Sequence, residues 1–384
     1  MASSKPLRCL IAFALLPSLL AQAGSGPAAS AKPATPACRA ERLQWGVNVH
    51  QPIDQWPKVQ EVIAPRGLTR VRLDMWAKDS KRNMQMRAFA TKLRSQGIEV
   101  SAVLFDSYAN GYPAAQNCDV DLAVVEQSAY KEISQYIAQV DDVIHDFELL
   151  NEIPLYPNIK TMLSKGHDAA DFDTPCGRLQ AANLRGMSRA IVDERKRTGL
   201  PLRIILGTVA RSFGFYKFMQ SQGVSFDVVG YHIYPIDKNK SLDQDPWFGD
   251  GGALGQLARF NKPIHINEFH CGEIYKPTFE NKADQPETET CLRSVARHLK
   301  DIANFKGGRI ESVYMYELTD EPRKHAPENR FGLMYDLDTP KVGLFLLTAF
   351  AGGKLSEPEQ RELTRRQLLT PAQIAAWSGC GARP

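Results

Sequence analysis

The sequence predicts an α/β protein built as one (β/α)8 TIM barrel. Three observations predict it: eight short apolar or β-branched runs, a segment of helical period or a long loop after each, and no Pro/Gly/Ser-rich linker dividing the interior. Length alone, at 384 residues, would suggest two domains. The alternation never resets, however, and a body of about 310 residues suits a single barrel. A doubly wound sheet is the main alternative, but no glycine-rich GxGxxG follows the first run.

In chain order, the first feature is a leader. Lys5 and Arg8 precede an apolar run from Cys9 to Leu20, and Ala21-Gln22-Ala23 follows. That run is shorter than the ~20 residues that span a bilayer, so residues 1–23 read as a secretory signal peptide cleaved after Ala23. Residues 24–40, rich in Gly, Ala, Pro and Ser, read as a flexible leader. The mature chain is therefore expected to be secreted or periplasmic, without a membrane span.

The barrel is expected over residues 41–353. Its strand candidates are Leu43–His50, Thr69–Trp76, Ile98–Asp106, Val143–Glu152, Leu202–Val209, Phe226–Tyr234, Pro263–Phe269 and Ile310–Glu317. Between them Leu122, Val125, Ala129, Ile133, Tyr136 and Val140 recur at three- and four-residue steps, as do Leu292, Val295, Ala296, Leu299 and Ile302. Each set makes one apolar stripe along a helix. Residues 354–384 form a C-terminal extension, in which Glu357 to Trp377 adds one or two helices.

Composition excludes several classes. With 43% hydrophobic and 23% charged residues the chain buries a sizeable core and is not disordered. The formal charge is +4, and Lys5 and Arg8 of the leader supply part of it. Nothing in that balance argues for a nucleic-acid partner. Beyond Cys9 six cysteines remain, and export makes disulfides the default reading. No CxxC occurs, so neither a zinc ribbon nor a thioredoxin-like site is supported.

Strand parity then concentrates the polar groups. Side chains of a barrel strand point alternately to the helices and to the interior, and active sites collect at the C-terminal rim. On the second run Arg70, Arg72, Asp74 and Trp76 alternate with Val71, Leu73 and Met75; on the first, Asn48 and His50 alternate with Val47 and Val49. His232 and Tyr234 share a parity on the sixth, Glu148 and Glu152 on the fourth, and Ile264, Ile266 and Glu268 on the seventh. Burying so many ionisable groups is costly unless they pair or do chemistry.

The fourth and seventh runs each end in Asn-Glu: Asn151-Glu152 and Asn267-Glu268. Those strands lie across a barrel from each other. Two glutamates facing over one cavity are what glycoside hydrolysis requires, one to protonate the leaving oxygen and one to meet the anomeric carbon.

Phe147-Glu148-Leu149-Leu150-Asn151-Glu152-Ile153-Pro154 resembles the fourth-strand F-E-x-W-N-E-P signature of the clan A retaining β-glycosidases. Pro263 to Phe269 resembles the nucleophile segment of that clan. Tyr231-His232-Ile233-Tyr234-Pro235, Tyr314 to Leu318 and Phe331-Gly332-Leu333 are similar to it as well, and within the clan the likeness is to family 39. The resemblance implies Glu152 as acid/base, Glu268 as nucleophile and Asn151 as the amide on the sugar 2-hydroxyl. It further implies that Arg72 and Tyr234 hold Glu268 ionised, that His232 orients Glu152, and that Asn48 and His50 lie near the sugar. The chain departs from the pattern at Leu150, where the clan often has Trp, at Ile153, which displaces the Pro after the acid, and at Tyr316, where the eighth strand usually offers Trp.

Other residues have lesser expected parts. Glu148 reads as a structural partner of Arg72 or Arg70, and Glu273 and Glu317 as rim or loop residues. Trp76, Tyr112, Trp247 and Tyr316 offer aromatic faces to a sugar. Topology suggests three disulfides: Cys118 with Cys176, Cys271 with Cys291, and Cys38 with Cys380. The expected partner is an oligo- or polysaccharide, and no cofactor or metal is expected. The rival readings are a metal-dependent barrel hydrolase on His50, His232, His265, His270 and Asp106, a non-catalytic carbohydrate-binding barrel, and a transglycosylase.

Overall fold

The computed structural model describes residues 43–76, 79–107, 118–159, 166–275 and 287–378. Strands β1 (Gln44–Asn48), β2 (Arg70–Trp76), β3 (Glu99–Phe105), β4 (Asp146–Leu149), β5 (Arg203–Val209), β6 (Val228–Ile233), β7 (Ile264–Phe269) and β8 (Ile310–Met315) close into a parallel barrel in chain order. Each lies inside the run read from sequence, shortened at its ends.

The helices follow the apolar periods. They are α1 (Trp56–Ile63), α2 (Ser80–Arg94), α3 (Leu122–Ile137), α4 (Pro175–Thr198), α5 (Gly214–Ser221), α6 (Gly252–Ala258) and α7 (Glu289–Asn304). Val125, Ala129, Ile133 and Tyr136 of α3 are buried, as is the stripe of α7. Outward strand residues such as Val71, Leu73 and Met75 meet this ring in the main core. Asp79, Thr174 and Thr288 cap α2, α4 and α7 by accepting from backbone N–H groups of the first turn.

The extension carries α8 (Val342–Phe350), α9 (Glu357–Arg365) and α10 (Pro371–Ser378). Trp377 meets Phe350 at 3.8 Å between ring centroids, which docks the last helix on the barrel. A short hairpin, β9 (Met334–Asp336) with β10 (Thr339–Pro340), precedes it and was not legible as strand in the sequence.

Inside the barrel the polar groups are layered. Arg70 pairs with Asp146 at 2.9 Å, Arg203 with Asp146 at 2.7 Å and with Glu311 at 2.6 Å, and His265 approaches Glu311 at 3.2 Å. This ionic floor closes the N-terminal end. Above it Arg72 and Glu148 fill the middle, and two strand glycines make the room. A Cβ on Gly207 would lie 2.6 Å from Glu148 Oε1, and one on Gly230 would lie 2.7 Å from Asn267 Nδ2.

Two strands break the parity expected of them. β4 stops at Leu149, and Leu150 and Glu152 adopt left-handed φ of 58° and 46°. Glu152 therefore reaches the mouth through a turn and not by sharing strand alternation with Glu148. The pairing of β7 shifts between Ile266 and Phe269, and that of β6 between Tyr231 and His232. Ile264 and Ile266 do not share an inward face with Glu268: His265 and Asn267 line the interior, and the irregularity turns the next residue, Glu268, inward too.

Cys118–Cys176 and Cys271–Cys291 form disulfides, with Cα–Cα distances of 4.9 and 5.3 Å. The first ties the segment after β3 to the start of α4, and the second ties the end of β7 to α7. Cys38, Cys380 and Tyr112 lie outside the described residues. Among the described residues no helix is long and apolar enough to cross a membrane.

Candidate active site

The C-terminal ends of the strands bring the predicted carboxylates together. An oxygen of Glu152, an oxygen of Glu268 and a ring nitrogen of His232 all lie within 4.8 Å of one another. Glu268 is 5% exposed, whereas the Glu152 side chain is 21% exposed. One acid is thus set into the floor and the other stands at the opening.

Arg72 organises the floor. It donates from Nε to Glu148 at 2.7 Å, from Nη1 to Glu268 at 2.9 Å and to Asn48 Oδ1 at 2.8 Å, and from Nη2 to Asn151 Oδ1 at 2.8 Å. Tyr234 adds its hydroxyl to Glu268 at 2.7 Å. Burial pushes the Glu268 carboxyl up. The His232 charge, the Arg72 guanidinium and the Tyr234 hydroxyl outweigh it, leaving Glu268 below the ordinary carboxylate range.

His232 is 1% exposed and stands between the acids. Its Nδ1 lies 3.0 Å from Glu152 and 3.4 Å from Glu268, and its Nε2 lies 3.4 Å from Glu148. Burial alone would lower its pKa, but Glu268, Glu148 and Glu152 raise it to about 10. Glu148, wholly buried, is pushed up by burial and pulled down more strongly by Arg72 and His232, to about 2. Its part is that of an anion beneath the site, as a partner of Arg72; Arg70 belongs to Asp146.

A cleft of about 290 Å³ opens over this floor, lined in part by His50, Arg72, Asn151, Glu268 and Tyr316. A larger exterior hollow, about 590 Å³, offers one carboxylate, Asp227, and Arg195 already holds it at 2.9 Å. Beside the cleft His50 Nδ1 meets Glu317 at 2.6 Å and Glu321 at 2.8 Å. Lys324 lies 3.2 Å from both acids and donates to the Tyr316 hydroxyl. Burial raises Glu317 to about 7, even against His50 and Lys324. His50, lowered by burial alone, is raised by Glu317 and Glu321 to about 10.

Several sequence readings change here. Asn48 does not border the cleft: it is wholly buried and donates to the carbonyls of Asn267 and Met315 while accepting from Arg72. It steadies the arginine. Glu317 is no rim residue, being 0% exposed. Glu273 is buried too and accepts from the Lys238 backbone N–H. Trp76 is half-buried at the end of β2 with its ring stacked on Phe105, 4.3 Å apart. Trp247 is half-buried beneath the Arg211 guanidinium at 5.5 Å.

The residues of the rival metal site do not converge. His265 belongs to the floor, His270 is packed against Phe331 and accepts from the Cys271 N–H, and Asp106 meets Asn183. Two other groups could geometrically take a cation, Glu152/His232/Glu268 and His50/Glu317/Glu321. Resident cations already face both, Arg72 in the first and Lys324 in the second.

Sequence reasoning missed Glu321, Lys324 and Tyr275. Tyr275 is 46% exposed and its ring lies 6.1 Å from that of Tyr234. They belong to loops, where no period marks an inward side. Asp74 shares the inward parity read for Arg70 and Arg72, and Phe105, which continues that of β3, was within reach of the same argument.

No protein-family model matches the chain, and no curated protein matches it. Solved structures do. A family 39 glycoside hydrolase from Bacteroides cellulosilyticus WH2 superposes with a TM-score of 0.54 at 16% identity, over 82% of this chain and 64% of that one. This chain thus spans less than two thirds of that relative. A family 1 β-glucosidase from Thermotoga maritima superposes at 0.54 and 12% identity over 86% and 99% of the two chains. The same enzyme with castanospermine reaches 0.56 at 11% identity, over 82% and 99%. At such identities the likeness establishes the fold, a (β/α)8 barrel shaped like those of these glycoside hydrolases.

Proposed function

We propose that this protein is a retaining glycoside hydrolase acting on β-glycosidic bonds of an oligo- or polysaccharide, with Glu152 as acid/base and Glu268 as nucleophile. The observation that carries the reading is the approach of the two carboxylates at the barrel mouth, where their oxygens lie within 4.8 Å of each other. Retaining pairs stand about 5 to 5.5 Å apart, and inverting pairs about 6.5 to 9.5 Å. The gap leaves no room for the water that inversion would place between Glu268 and the anomeric carbon.

In the first step Glu268 attacks the anomeric carbon while Glu152 gives its proton to the glycosidic oxygen. The carbon–oxygen bond breaks, the alcohol leaves, and a glycosyl ester forms on Glu268. Glu152, now a carboxylate, takes a proton from water, whose oxygen displaces Glu268 from the same carbon. Two inversions give net retention. Arg72 and Tyr234 suit the nucleophile, since both favour its ionised form. Asn151, fixed by Arg72, is the amide for the 2-hydroxyl, and His232 positions Glu152. His50 and Tyr316 line the sugar's surroundings.

The two disulfides and the leader composition support an exported protein, secreted or periplasmic. A transglycosylase would share the ester and differ only in its acceptor.

Product stereochemistry tests the reading. Proton NMR of a β-glycoside digest should show the β-anomer of the released sugar first, with the α-anomer growing only by mutarotation. An α-anomer formed first would overturn the mechanism. A second test bears on the nucleophile's setting. Tyr234→Phe should lower kcat/KM by about 10- to 100-fold, the worth of a hydrogen bond to a charged acceptor. It should also move the acidic limb of the pH profile upward, because Glu268 loses a donor that favours its anion. An unmoved limb would remove Tyr234 from that role.

A further inference from the structure

The cleft over Glu268 does not end at the reacting sugar. From Glu268 on β7 it runs past Asn151 and Arg72 to Asp74 on β2, Phe105 on β3 and Arg82 in the first turn of α2. Strands β7 and β3 stand on opposite sides of the eight-stranded barrel. Eight strands about 4.8 Å apart and tilted about 36° enclose a mouth on the order of 15 Å wide. A trough across that mouth is longer than one six-membered ring.

Its direction follows from the chemistry. Glu152 is absent from the lining of this cleft, whereas Glu268 and Asn151 belong to it. The leaving oxygen must meet Glu152, so the trough leads away from the leaving group and holds the part of the substrate that becomes bonded to Glu268.

The far end has the makings of a sugar site. Phe105 lines the trough with a half-buried ring at its strand end, and the Trp76 ring stacks on it within 14° of parallel. Asp74 and Arg82 stand beside it, and among the described residues neither forms an ion pair or a side-chain hydrogen bond. The Arg82 Nε is buried without a partner. Buried polar atoms are normally satisfied. A planar donor and a carboxylate left open beside an aromatic surface are suited to a sugar's hydroxyls and to its apolar face.

Resting on the hydrolase reading above, we infer that Asp74, Arg82 and Phe105, with Trp76 stacked on Phe105, form a second subsite on the non-leaving side. The substrate is then a β-linked chain with at least two sugar units before the cleaved bond, and the enzyme does not trim single terminal sugars.

The test uses matched pairs of 4-nitrophenyl glycosides: β-glucoside with β-cellobioside, β-xyloside with β-xylobioside, and β-mannoside with β-mannobioside. For the sugar accepted, kcat/KM should be at least 10-fold higher for the disaccharide member, and mass spectrometry should show the intact disaccharide as the first product. Arg82→Ala and Phe105→Ala should each bring that ratio down several-fold. Equal kcat/KM within the pair, or release of single sugars from the non-reducing end, would overturn the subsite. A ratio that survives both substitutions would overturn its placement. No turnover of any pair would instead count against the hydrolase reading itself.

Discussion

Replacing Glu268 by Gln should abolish turnover, lowering kcat by at least about 10⁴-fold, or more than about 5 kcal/mol of barrier. The amide keeps the size of the carboxylate; its oxygen can accept from Arg72 and its NH2 can donate to the Tyr234 hydroxyl oxygen, so the pocket retains its shape. What it loses is the negative oxygen that forms the ester in the proposed mechanism. The charge balance beneath also survives, because Arg72 keeps Glu148 at 2.7 Å. That matters, since stripping a buried cation of every partner costs about 3 to 5 kcal/mol and would confuse loss of chemistry with loss of fold. Circular dichroism and the melting temperature should stay near those of the parent protein. In the parent, a 2-fluoro-substituted glycoside with a good leaving group should become bonded to the peptide containing Glu268, and in the variant it should not. A variant working within 10-fold of the parent, or a label on another carboxylate, would remove Glu268 from the nucleophile's place.

Much of this site could be read from residue order, and the reasons are local. The run Arg70, Arg72, Asp74, Trp76 against Val71, Leu73, Met75 is plain strand alternation, and the structure keeps it, with the outward set buried in the core. The disulfides Cys118–Cys176 and Cys271–Cys291 followed from loops that neighbour each other once the strands are ordered. The same alternation gave the wrong account of Glu152 and Glu268. A left-handed turn after Leu149 and a slip in the β7 pairing aim the two acids inward. Left-handed φ at a residue with a side chain is a strained conformation that surrounding packing must hold, and propensity cannot announce it. The burial of Glu317 among His50, Glu321 and Lys324 was illegible for a different reason. These partners come from the segment just after β1 and from the loop after β8, and only ring closure, which pairs the first strand with the last, brings them into contact.

Glu152→Ala should separate the two halves of the reaction. An ordinary alcohol cannot leave without a proton, so hydrolysis of natural linkages should fall by about 10²- to 10⁴-fold, the usual worth of acid–base catalysis. A 2,4-dinitrophenyl glycoside needs no proton on its leaving oxygen. Its ester on Glu268 should still form, giving a burst of phenolate, and then persist because no base activates the water. Azide is small enough to occupy the space of the lost carboxylate, which is 21% exposed and open to solvent. Already anionic, it needs no base. Added azide should therefore accelerate turnover of the dinitrophenyl substrate by 10-fold or more and release a β-glycosyl azide, since attack comes from the face that Glu152 commands. An α-azide would place the removed carboxylate on the opposite face of the sugar, and no acceleration would mean that position 152 does not border the ester. His232 sharpens the comparison. Its Nδ1 is 3.0 Å from Glu152, and the side chain is held cationic by the acids around it, with burial opposing, so after the substitution it remains beside the vacated space as the charge that draws azide in. Azide rescue should accordingly weaken in Glu152→Ala/His232→Gln relative to Glu152→Ala, read as a higher azide concentration for half-maximal acceleration.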